Sequence, residues 1–388
     1  MREVVIAGVG LHKFGRFPFK SLQDLGYEAV MMALKDCDQC SWQQVWKDIQ
    51  IAFCGTMHGG TATGHRTLYR IGMPGIPIIN VETACASGAT GLMLAFQGIA
   101  TGMYDVALAF GVEQMPRGFM RMTSFSQWQM LNGLGLNPLL FGLRATRHMA
   151  EYGTTHEQLA KVSVKNHKHG VLNPYAMYRK ELTMEEILNS PMVCYPLRLL
   201  ELCAPNDGAS AVVLCSKEVS RRYTSKPVTV AAVCTGVPQY GTIRSAAGTG
   251  SAGGSVRINN PEVAAALAKQ AYETSGIGPE DLDLVELQDT DSGSEIIFYE
   301  QLGLCNLGEG GRLVDEGKTE IGGDIPVNVS GGLLSKGEPT GASALAQVVE
   351  VTWQLRGEAG PRQVQDAKVG LCQVEGAGGN AGVTILKK

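Results

Sequence analysis

No apolar stretch of the chain approaches the roughly 20 residues that a membrane-spanning helix needs, so no membrane association is expected. Met1-Arg2-Glu3 runs straight into a strand-like stretch instead of a secretory leader. Thr384-Ile385-Leu386-Lys387-Lys388 carries no Ser-Lys-Leu peroxisomal address, and a cytoplasmic location is the expectation. Charge of one sign is also scarce: a formal −4 over 388 residues supplies no basic surface for nucleic acid. The phosphate-cradling Gly-x-x-x-x-Gly-Lys-Ser/Thr motif is absent from the glycine-rich segment 246–254, which reads as a loop. Cys37-x-x-Cys40 has redox or metal spacing, but no second pair completes a zinc site, and no metal is expected. The ten cysteines are scattered among apolar strands, as suits a reducing compartment better than a disulfide framework. What is present is 44% hydrophobic and 18% charged residues, in a length that accommodates two similar halves and an insertion.

One cysteine stands apart. Val81-Glu-Thr-Ala-Cys85-Ala-Ser-Gly-Ala-Thr-Gly91 follows the apolar run Ile76-Pro77-Ile78-Ile79 and precedes a helix-like stretch from Leu92 to Ile99. A thiol on a strand-to-helix turn meets unpaired backbone N–H groups and the positive end of a helix dipole, both of which favour thiolate. Cys85 is therefore the candidate nucleophile, the competing reading being a buried packing cysteine.

A related segment lies in the C-terminal half. Ile325-Pro326-Val327-Asn328-Val329 reads as a strand entering the Ser330-Gly331-Gly332 turn, and Lys336-Gly337-Glu338-Pro339-Thr340-Gly341 leads into a helical stretch, residues 344–355. Val4 to Gly10 has an echo in Val228 to Gly236. A duplicated α/β architecture brings the two glycine turns to one centre, with Cys85 on one and Glu338 on the other. Helix starts aimed at a shared point suit developing negative charge.

These residues resemble the thiolases, and within them the sterol-carrier-protein-type branch, over nearly the whole chain. The resemblance is carried by Gly72-x-x-Gly75-Ile76-Pro77-Ile78 leading to Cys85-x-Ser87-Gly88, by Gly111-Val112-Glu113-Gln114-Met115, and by His148-Met149-x-x-Tyr152-Gly153. Lys165-Asn166-His167, Pro205-Asn206-Asp207-Gly208-Ala209 and the turn around Glu338 extend it. It implies a five-layered fold of two αβαβα-type halves, residues 1–225 and 226–388, with a loop domain at about 115–202 inserted in the first. It further implies an acyltransferase that uses coenzyme A as substrate, holds no permanent cofactor and forms a homodimer, in some relatives with a small zinc-ribbon and OB-fold subunit.

The chain departs from the family at three places. Glu338 replaces the histidine of the family's Gly-His-Pro turn; it can accept the Cys85 proton, but when ionised it repels an oxyanion. Its other reading is a helix-start residue held by the dipole. Leu287-Gln288-Asp289-Thr290 replaces the Asn-Glu-Ala-Phe or His-Asp-Cys-Phe motif, so Gln288 keeps an N–H donor while Thr290 stands where a second reactive cysteine is found. The alternative position for that cysteine reads Val374-Glu375-Gly376, and the second acid/base cysteine is missing. By the resemblance, the N–H groups of Cys85 and Gly376 form an oxyanion hole.

The expected reaction is cleavage of a 3-oxoacyl-CoA by CoA through an acyl-Cys85 intermediate. The covering segment is rich in Met and aromatics, including Met115, Phe119 and Trp128, and favours a bulky or aromatic acyl group such as that of benzoylsuccinyl-CoA. Arg244 and Arg257 are candidates for a CoA phosphate, and His58 for an additional base. Competing readings are retro-aldol cleavage of a steroid side-chain acyl-CoA, and a catalytically weak scaffold or lipid-binding subunit.

Overall fold

Val4–Leu11 (β1) is buried along its whole length, the pattern of a strand covered on both faces. The computed structural model describes residues 1–72, 75–118, 127–132, 135–238 and 262–388. In them β1 occupies the middle of a sheet with Ile51–Gly55 (β2), Ile78–Val81 (β3), Val106–Gln114 (β4), Asp207–Ser216 (β7), Val228–Gly236 (β8), Leu284–Glu286 (β9), Val369–Glu375 (β10) and Ala381–Lys387 (β11). The order is β3-β2-β4-β7-β1-β8-β11-β10-β9. Met192–Cys194 (β5) and Leu197–Arg198 (β6) form a separate ribbon in the inserted segment.

The two halves join through the antiparallel pairs Val5–Thr229 and Ile6–Val228. The Ser87–Ala100 and Thr340–Arg356 helices each touch strands on both sides of this joint, so they form the middle of five layers. The Leu22–Asp36 helix covers the outer face of the first half and Val263–Ser275 that of the second. The Leu22–Asp36 helix starts at a capping box in which Ser21 and Asp24 bond each other's backbone N–H groups. The two central helices begin at Ala86 and Pro339 without a side-chain cap of their own, which leaves their N-terminal groups free for other partners.

Residues 325–329, expected as a strand, contribute only an isolated bridge between Val327 and Val285. Pro326 has no N–H, and Asn328 sits in the left-handed region at φ 53°, so the ladder cannot continue. Backbone bonds from Val285 to Pro326 and from Asn328 to Val285 still hold the segment beside β9.

Glycines set how closely the central helices approach the strand ends. A Cβ on Gly111 would lie 2.1 Å from the Gly341 carbonyl oxygen, and one on Gly341 would lie 2.7 Å from that of Gly55. Both obstacles are backbone atoms. Gly111→Ala should therefore destabilise the protein by about 1–3 kcal/mol through overpacking, as read by chemical denaturation, and an unchanged midpoint would contradict the close junction.

Candidate active site

Cys85 lies between β3 and the Ser87–Ala100 helix. The preceding Ala84 adopts a left-handed conformation at φ 53°, which bends the chain sharply before the helix. Ser87 pins the bend: its hydroxyl donates to the Ala84 carbonyl at 2.6 Å and accepts from the Thr83 N–H at 2.9 Å. The residue is 5% exposed.

From the other half comes Glu338, fully buried just ahead of the Thr340–Arg356 helix. One carboxylate gathers three side chains. The Cys85 thiol lies beside it, near enough to feel its charge, while Gln288 Nε2 donates to Oε1 at 2.6 Å and Cys203 Sγ donates to Oε2 at 3.0 Å. Burial raises the Glu338 pKa above the ordinary carboxylate range, while the bonds from Cys203, Cys85 and Gln288 oppose the rise. Among the described residues no cation offsets its burial, and ionisation costs more than in water.

The same environment reverses an expectation for the nucleophile. The Cys85 pKa stands well above the usual thiol value, first from burial, then from the charge of Glu338 and the bond to it. The N–H groups of Ala377 and of Cys85 itself lower it, but they do not prevail. Burial and the neighbouring carboxylate thus favour the thiol form of Cys85, with its proton acceptor beside it.

The expected oxyanion donors are also redistributed. The Gly376 N–H donates to the Asn380 carbonyl at 2.7 Å and is engaged there, whereas the Ala377 N–H faces the Cys85 sulfur. Gly376 is nevertheless required by space, because a Cβ on it would lie 2.7 Å from the Cys85 nitrogen.

Glu113, at the end of β4, fastens the surroundings. Its buried carboxylate accepts from the N–H groups of Met57 at 2.7 Å, His58 at 3.0 Å and Gly341 at 3.3 Å, and from the Thr340 hydroxyl at 3.0 Å. It thus joins the loop after β2 to the second central helix, satisfying donors at that helix start. His58 is on this loop with its side chain exposed. Met115 is buried, its sulfur 3.2 Å from the Thr340 hydroxyl oxygen. Trp128 is exposed on the short Gln127–Leu131 helix. Phe119, Arg244 and Arg257 lie outside the described residues.

The basic stretch Lys161–His169 belongs to the His156–Leu172 helix and is largely consumed by packing. Lys165 is buried against Glu295 at 2.7 Å, and Lys161 and Lys168 pair with Asp315 and Glu320. Asp289 accepts from the N–H groups of Leu333 and Leu334 and from Asn166, anchoring the loop that carries Gln288.

Residues 4–218 match the family described as thiolase, N-terminal domain, and residues 257–388 match thiolase C-terminal domain-like. The chain belongs to the thiolase family. It is 38% identical to acetyl-CoA acetyltransferase of Methanothermobacter thermautotrophicus over the full length of both chains. It is 37% identical to benzoylsuccinyl-CoA thiolase subunit BbsB of Thauera aromatica, over 97% of this chain and 95% of that one. Among solved structures, the chain described as Ltp2-ChsH2(DUF35) aldolase superposes with a TM-score of 0.84 at 25% identity, covering 99% of this chain and 97% of that one. This thiolase is accordingly an acyl-CoA acyltransferase.

Cys203 is the member of the cluster that sequence reasoning missed. The nearest signal was its position two residues before the Pro205–Ala209 motif. Nothing in the sequence alone says that this segment runs beside Glu338, and the two residues are 135 positions apart.

Proposed function

We propose that this thiolase cleaves a bulky or aromatic 3-oxoacyl-CoA with free CoA, in particular benzoylsuccinyl-CoA to benzoyl-CoA and succinyl-CoA. The convergence of Cys85 and the buried carboxylate of Glu338, to which Gln288 is also bonded, is the observation that carries the mechanism. Nucleophile and base are neighbours in the site. As the sulfur attacks the 3-keto carbon, Glu338 takes its proton and becomes the neutral acid. A neutral carboxyl no longer repels the oxyanion and can donate to it, and its raised pKa favours that form. The C2–C3 bond breaks, the acyl group stays on Cys85, and CoA resolves the thioester. No permanent cofactor enters this scheme.

The likeness to the benzoylsuccinyl-CoA thiolase subunit over nearly its whole length supports the aromatic substrate, as does the Met- and aromatic-rich segment around Met115 and Trp128. Arg244 and Arg257 are proposed to meet CoA phosphates, and His58 to assist proton transfer. Product analysis with benzoylsuccinyl-CoA and acetoacetyl-CoA, each with CoA, tests the assignment. Benzoyl-CoA and succinyl-CoA should form faster than acetyl-CoA; the reverse order would make this an acetyl-transferring enzyme.

The structural likeness to an aldolase favours a second reading, retro-aldol cleavage. That reaction needs neither CoA nor a sulfur nucleophile, so cleavage that proceeds without added CoA would support it.

A homodimer is proposed through β3, which ends the sheet among the described residues and leaves Ile79 43% exposed beside Asn80. Unpaired apolar edges of this kind invite pairing with a second copy. Sedimentation at low micromolar concentration should give a dimer, with or without a small zinc-ribbon and OB-fold partner, whereas a compact monomer would contradict it.

A further inference from the structure

Two thiols share one carboxylate in this site, and only one of them is needed as nucleophile. Cys203 is locked in place on both flanks. Its N–H donates to the Thr290 carbonyl at 2.9 Å, and the carbonyl of the next residue, Ala204, accepts from the Glu338 N–H at 3.0 Å. The segment therefore runs between the Gln288–Thr290 loop and the Glu338 turn, with an isolated bridge from Pro205 to Glu338. Its sulfur lies 3.0 Å from Glu338 Oε2, and the residue is not fully closed off from solvent. Thr290, where the family resemblance places a second reactive cysteine, is its backbone neighbour.

A thiol is a weak hydrogen-bond donor compared with a hydroxyl or an amide. As a mere satisfier of a buried carboxylate it is a poor choice. What a thiol adds is a proton that can leave and return.

We propose that Cys203 is a catalytic residue, the second proton carrier of this thiolase, acting on the substrate α-carbon and on CoA while Glu338 serves Cys85. The proposal rests on the acyl-Cys85 reading and completes it. In the cleavage direction the Cys85 proton passes to Glu338 and the thiolate adds to the keto carbon. The C2–C3 bond breaks, and its electron pair, carried as the acyl-CoA enolate, takes the Cys203 proton at C2. Incoming CoA then gives its thiol proton to the Cys203 thiolate, and the CoA thiolate attacks the acyl carbon. Cys85 leaves as thiolate and recovers its proton from Glu338. Cys85, Glu338 and Cys203 end in their starting protonation states, the CoA thiol proton having replaced the one now on C2, and no oxidant or reductant is required. Glu338 also links the two half-steps: once it has been protonated by Cys85, its charge no longer opposes a thiolate on Cys203.

The roles separate experimentally because a thiolate leaving group is stable in water near neutral pH and a thioester enolate is not. Cys203→Ser and Cys203→Ala are compared with wild type in two assays. One is acylation of Cys85 by benzoyl-CoA, read by intact mass. The other is deuterium uptake from D2O at the α-carbon of succinyl-CoA, together with carbon–carbon cleavage. The expected result is acylation within a few-fold of wild type, with exchange and cleavage lowered by roughly 10²–10⁴. Wild-type exchange and cleavage in both variants would overturn the proposal and leave Cys203 a neighbour of Glu338. Parallel loss of acylation and exchange would also overturn it, since a structural role predicts both to fall. Failure of wild type to acylate at all would instead sink the acyl-Cys85 reading beneath it.

Discussion

Cys85→Ala is expected to abolish thiolysis while leaving the fold intact. Sulfur at this position both attacks the keto carbon and carries the acyl group, and alanine can do neither. Little else depends on the thiol. Its partners are Glu338 and nearby backbone N–H groups, and the bend that presents it is held by Ala84, Thr83 and Ser87. Thermal unfolding should accordingly stay close to wild type. Steady-state turnover checks the prediction, and substantial activity in the alanine variant would remove Cys85 from the mechanism.

Glu338→Gln carries the next largest expected effect, a fall in the chemical rate of roughly 10²–10⁴, the usual range for a positioned acid or base. The amide keeps the shape of the side chain and can still accept from Gln288, but it cannot take the Cys85 proton. The pH profile discriminates further. Burial raises the Glu338 pKa, so the acidic limb of kcat/KM in wild type should lie above the ordinary carboxylate range. In the variant that limb disappears. The rate should then climb into alkaline pH, because Cys85 is still buried and must ionise unaided.

Stability should move the other way. A carboxyl whose folded-state pKa is raised stabilises the protein fully below its unfolded pKa, and that contribution is lost as pH rises through the folded value. At neutral and alkaline pH the Gln variant should therefore be at least as stable as wild type. An unchanged rate profile in the variant would reduce Glu338 to a helix-start residue.

Much of this site was legible in the sequence because the informative features are local. The small-residue turn around Cys85, the glycine turn around Glu338 and the apolar strands before them identified the two elements. Duplication then implied that they meet. The rest was hidden for physical reasons. Whether Cys85 rests as thiol or thiolate depends on burial and on Glu338, neither of which appears in the spacing of its own turn. Cys203 reaches the site through backbone bonds to Thr290 and Glu338, contacts between segments far apart in the chain. Gly376 packs against the Cys85 nitrogen, but its N–H, expected as an oxyanion donor, is taken by the carbonyl of Asn380. The missing strand at residues 325–329 turned on a left-handed Asn328 that apolar patterning does not reveal.

Intact-mass analysis of wild type exposed to benzoyl-CoA, followed by peptide mapping, tests the central claim most directly. The predicted result is one benzoyl group per chain, located on Cys85, removed by added CoA with formation of benzoyl-CoA and absent from Cys85→Ala. Turnover of the 3-oxoacyl-CoA with no acyl group ever found on Cys85 would contradict the account.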